Sequence, residues 1–158
     1  MRQEIVLSLN KMTDRPITEL EDFFGISVLV DTGARFPVWT GDEETLAAIG
    51  GIKYKQNIDY SGVGGNTQGD LYRLPSFKLG SETNGLVYPG LPVVTNKEFE
   101  DAPFQMILSA TMFHNLEYTI NDKLHTMTIK IPDDKSNIRN AVIKQPDESI
   151  QVLFVNEE

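Results

Sequence analysis

The chain has 158 residues, with 14 Lys and Arg against 23 Asp and Glu, a formal net charge of −9, 40% apolar residues and no cysteine. That length fits one domain with a self-supporting core, and the composition excludes a collagen, a disordered tail and a disulfide scaffold. The acidity is spread out, with net charges of −4, −3 and −2 over residues 1–60, 61–120 and 121–158, so neither nucleic acid nor anionic lipid is an expected partner.

Most apolar segments are short, β-branched and bounded by Gly, Pro, Asn or Asp, which reads as strand. The first, residues 5–9, is too short for the core of a secretory signal, and no segment approaches the roughly 18 apolar residues of a membrane span. A cytoplasmic protein without a membrane anchor is therefore expected. A second strand is predicted over 25–30. Thr40 and Glu43 have capping-box spacing ahead of an apolar pattern over 45–49 that stops at Gly50-Gly51, which predicts a short helix over 43–49. Residues 53–59 and 71–74 are expected as the arms of a long hairpin, and strands follow over 85–88, 92–95 and 104–108. Ser109 and Asn115 bracket an expected two-turn helix. Residues 116–120 and 123–131 predict a hairpin turning at Asn121-Asp122, a pair that tolerates positive φ. After a polar stretch at 133–137, segments 141–145 and 149–155 predict a last hairpin. The fold class is all-β with one or two short helices, in a single domain over 1–158 whose core is about 5–131 and whose C-terminal extension is 132–158.

The segment richest in chemistry is Asp31-Thr32-Gly33-Ala34 at the end of an apolar strand. A strand that stops at a carboxylate and enters a tight turn presents that carboxylate to a cleft, with a hydroxyl and turn amides around it. Gly33 lets a second backbone approach. The plain alternative is an ordinary turn, which Asp and Gly both favour. Farther on, Gly62-Val63-Gly64-Gly65 makes a glycine-rich hairpin tip able to lie against a ligand, and Ile107-Leu108 closes an apolar strand just before a helix.

At these three places, in this order, the chain resembles the retropepsin-like aspartic proteases, the one-lobed relatives of pepsin. The resemblance spans about residues 5–131 and rests on a dozen positions, of which Asp31 to Ala34 are the most specific. It implies an acid-protease barrel with a flap hairpin. It implies peptide hydrolysis by a homodimer in which two Asp31 carboxylates, one per subunit, share a proton and hold a water, with no metal or cofactor. Thr32 and Gly33 would support the active site, Thr32 by a hydrogen bond across the dimer interface and Gly33 by accepting from the substrate backbone. Ala34, the flap residues Gly62, Val63, Gly64 and Gly65, and Ile107 and Leu108 would contact a peptide or protein substrate. A C-terminal strand, 149–155 here, would pair across the dimer.

Three departures from the family pattern are visible. Ser109 replaces the usual Gly after Ile107-Leu108, where its side chain either crowds the strand behind Asp31 or caps the helix. Arg35 and Phe36 stand where retroviral members usually carry acidic substrate-gripping residues, and Ala110 stands in place of their Arg partner. An inactive peptide-binding or assembly module of the same fold is the alternative reading. Other chemistries find less support. The glycines near 62–65 lack the third Gly and the helix of a dinucleotide fingerprint. His114 and His125 lack metal-ligand spacing, and Ser61 and Ser109 lack a nucleophile elbow. Glu19, Glu21, Asp22, Asp133 and Asp134 read as solvated loops, and Trp39 as core behind the Asp31 turn.

Overall fold

The computed structural model describes residues 3–9, 16–21, 23–31, 34–62, 65–80, 85–96, 102–113, 116–131, 139–144 and 150–155. In chain order the strands are β1 (Gln3–Ser8), β2 (Ile17–Leu20), β3 (Ile26–Asp31), β4 (Val38–Trp39), β5 (Ile52–Gly62), β6 (Gly65–Gly80), β7 (Gly85–Thr95), β8 (Met106–Ser109), β9 (Tyr118–Asn121), β10 (Thr126–Ile131), β11 (Arg139–Lys144) and β12 (Ile150–Val155). Among the described residues, one α-helix, α1 (Glu43–Ala48), and one 3-10 helix (Ala110–Phe113) interrupt them. The fold is all-β. No described helix is long and apolar enough to cross a membrane.

Seven strands form one mixed sheet in the order β2-β3-β8-β4-β7-β6-β5. Strand β3 runs antiparallel to β2 and parallel to β8. All four residues of β8 are buried, as expected for a strand covered on both faces, and this accounts for its uninterrupted apolar run. A three-stranded sheet, β1-β10-β9, and the β11-β12 hairpin complete the fold. The hairpin joins the core of its own chain. Val152 and Phe154 are buried, and Phe154 ends a series of aromatic contacts running Phe23–Phe77 (4.8 Å between centroids), Phe77–Tyr88 (6.0 Å) and Tyr88–Phe154 (6.1 Å). Tilted and edge-to-face pairs of this kind add stabilisation beyond the area they bury.

Several local expectations change. The helix cap is Asp42, whose side chain accepts from the Thr45 N–H at 2.7 Å, while Thr40 donates to the Phe104 carbonyl at 2.7 Å. A carboxylate one residue before the first turn is better placed than a hydroxyl three residues before it. Of the expected 109–115 helix, Ser109 lies in the β8 ladder and Ala110–Phe113 form a 3-10 turn, while His114 and Asn115 lie outside the described residues. The β9–β10 turn has four residues rather than two. Thr126 pairs with Asn121, the Asn121 side chain accepts from the Leu124 N–H at 2.9 Å, and the positive φ (53°) falls on His125. Segments 85–88 and 92–95 fuse into β7 through Gly90 at φ 59°, whose carbonyl accepts from Arg73 at 2.7 Å. Glu19 lies in β2 rather than in a loop, exposed between buried Thr18 and Leu20. Trp39 is fully buried and donates its indole N–H to the Asp42 carbonyl at 2.8 Å.

Candidate active site

Strand β3 alternates buried and half-buried residues and ends on half-buried Asp31. The parallel ladder to β8 sets Leu29 beside Ile107, Val30 beside Leu108 and Asp31 beside Ser109. On its other side β8 meets β4, with Ile107 opposite Val38 and Met106 opposite Trp39. The end of β3 and the Ile107-Leu108 segment are therefore adjacent in the sheet.

 The contact comes from pairing in the sheet, since Asp31 and Ser109 are far apart along the chain. Ile107 and Leu108 lie in the core of the chain, Leu108 fully buried.

Beyond Asp31, the Ala34 N–H donates to the Asp31 carbonyl at 3.1 Å, which closes a turn, and Ala34 packs half-buried against the core. Thr32 and Gly33 lie outside the described residues, as do Val63 and Gly64. Arg35 is exposed, and its carbonyl accepts from Thr111 Oγ1 at 2.9 Å. Thr111 Oγ1 is in turn 2.7 Å from Ser109 Oγ. Ser109 is fully buried and hydrogen-bonded, so its side chain is accommodated beside Asp31. Thr111 was not legible as a partner of this turn. The only signal in the sequence is a second hydroxyl two residues after Ser109.

Gly62 and Gly65 form the last described rung of the β5–β6 hairpin. The base of that hairpin carries a polar cluster that sequence reasoning missed. Lys53 Nζ lies 3.6 Å from Glu43 Oε1 on α1 and 3.4 Å from Asp70 Oδ2 on β6. The Tyr72 hydroxyl donates to Glu43 at 2.9 Å, and Asp70 accepts from the Asn57 N–H at 3.1 Å. Partial burial pushes the Asp70 carboxyl up, but the Asn57 N–H, the Glu43 side chain and the Lys53 ammonium outweigh it and hold the group below its ordinary value. Register shifts between Lys53 and Lys55 and between Lys55 and Ile58 bring these groups together, and such irregularities cannot be read from alternation alone. Among the described residues, no group of three or more His, Asp or Glu is arranged to hold a metal ion.

No protein-family model matches the sequence, and no curated protein matches it. Among solved structures, the crystal structure of a retropepsin-like aspartic protease from Rickettsia conorii is similar, with a TM-score of 0.57 and 15% sequence identity over 97% of this chain and 96% of that one. The likeness is one of fold.

Proposed function

We propose that this chain is an aspartic endopeptidase that acts as a homodimer, with Asp31 of each subunit supplying one catalytic carboxylate. The observation that carries the reading is the end of β3. A half-buried carboxylate closes an apolar strand, lies in parallel register with the residue after Ile107-Leu108, and does so in a fold similar to that of a retropepsin-like aspartic protease.

Two carboxyl groups brought to about 3 Å cannot both ionise readily, so the pair retains one proton. The ionised partner takes a proton from a water held between them, and the oxygen of that water attacks the scissile carbonyl carbon. The protonated partner donates to the carbonyl oxygen as it becomes tetrahedral. Collapse of that intermediate breaks the C–N bond, and a proton passes to the departing nitrogen. Thr32 and Gly33 support this pair, and Ala34 and the flap residues Gly62, Val63, Gly64 and Gly65 enclose the peptide and exclude water. Ile107 and Leu108 form the packed floor beneath the site. The β11–β12 hairpin, in which each strand has one ladder partner among the described residues, offers edges that continue a sheet across the dimer.

Digestion of casein or a peptide library tests the reading, with Asp31→Ala as the control. Cleavage by the wild type that vanishes in the variant supports it. No cleavage at any pH from about 3 to 8 contradicts it, because carboxyl-based acid and base catalysis must show an active window within that range. Peptide binding without cleavage would identify a binding module instead.

A further inference from the structure

A hydroxyl has one hydrogen to donate and two lone pairs to accept with. Thr111 Oγ1 donates its hydrogen to the Arg35 carbonyl at 2.9 Å, so the 2.7 Å contact with Ser109 must be donated by Ser109. The result is a directed relay from Ser109 through Thr111 to the Arg35 carbonyl. Each bond in such a chain polarises the next. Its start, Ser109, is fully buried and stands in register with Asp31, and its end fixes the loop that leaves Asp31. The Ala34 N–H to Asp31 carbonyl bond of 3.1 Å lies between the two ends.

The 3-10 helix does not need this relay to stay in place. Met112 and Phe113 are buried, and the Met112 carbonyl accepts from the Tyr88 hydroxyl at 3.0 Å. What the two hydroxyls add is a link to the backbone of the Asp31 turn. The geometry points to Ser109 and Thr111 as positioning residues for Asp31, holding the turn so that its carboxylate meets the reacting groups at a fixed place. This inference rests on the reading of Asp31 as the catalytic carboxylate.

The test uses Thr111→Val, which keeps the shape and removes the hydroxyl, Thr111→Ser, which restores it, and Ser109→Ala. Two quantities are measured on the full chain: steady-state cleavage of a peptide substrate and amide hydrogen exchange at Ala34. Thr111→Val is expected to lower kcat by about tenfold with KM within about twofold, and to speed Ala34 exchange by about five- to tenfold. Thr111→Ser returns both to near wild type, and Ser109→Ala falls between. The inference is overturned if Thr111→Val matches the wild type in kcat, whether or not Ala34 exchange changes, or if Thr111→Ser fails to rescue. If Asp31→Asn abolishes cleavage while Thr111→Val does not affect it, only this inference fails. A wild type that cleaves nothing overturns both this inference and the peptidase reading.

Discussion

Gly69 on β6 faces the Thr95 carbonyl on β7 so closely that a Cβ at position 69 would collide with that oxygen and press on the Val94 side chain. The neighbouring Asp70 N–H donates to Thr95 Oγ1 at 2.9 Å, so this contact fixes the point from which the long hairpin leaves the sheet. Gly69→Ala forces β6 and β7 apart. The expected cost is about 1–3 kcal/mol, or a melting temperature lower by roughly 3–10 °C. Thermal unfolding followed by circular dichroism measures it, and an unchanged midpoint would show that the strands separate freely.

The Asp70 carboxylate gives the hairpin base a dependence on pH. Its folded-state value lies below the ordinary 3.8, so its contribution to stability is present above that value and is lost as pH falls through the lower, folded-state value. Asp70→Asn should lower stability at neutral pH by about 1 kcal/mol, a figure kept small because the pair with Lys53 is partly exposed. The same variant should lose less stability than the wild type below pH 3.8. Urea unfolding at neutral and acid pH checks both, and parallel curves for the two proteins would rule out the linkage.

Tyr88 is fully buried, and burial pushes its phenol far up, so it remains a neutral donor to the Met112 carbonyl. Removing only the hydroxyl in Tyr88→Phe leaves a buried carbonyl without that donor. A loss of about 1–2 kcal/mol is expected, with a melting temperature lower by roughly 2–6 °C. Because Met112 lies in the same 3-10 turn as Thr111, exchange at the Thr111 amide should also quicken, and nuclear magnetic resonance reads this directly.

The all-β class was legible because short β-branched runs end at turn-forming residues, as at 26–31, where burial alternates along β3. The long hairpin was legible from its glycine-rich tip. Its full length was not, since bulges at Lys53 to Ile58 interrupt the alternation that marks β5. The same irregularity hid the Glu43, Lys53, Asp70 and Tyr72 cluster, whose members come from three elements. Asp31 drew attention through its neighbours in sequence, whereas its pairing with Ser109 depends on a parallel ladder between distant strands, which local patterns do not encode. Strand β2 escaped because Glu19 and Glu21 mask a strand of four residues at the sheet edge, where a charged side chain points outward without penalty.

In the proposed enzyme one active site is built from two Asp31 residues in two chains. Wild type and Asp31→Asn, mixed at fixed total concentration under conditions of subunit exchange, test it most directly. If both carboxylates are required, activity follows the square of the wild-type fraction, because at equal mixing only about one quarter of two-fold dimers carry two intact subunits. A linear decline, with half the activity at equal mixing, would mean that each chain acts alone and would contradict the shared pair.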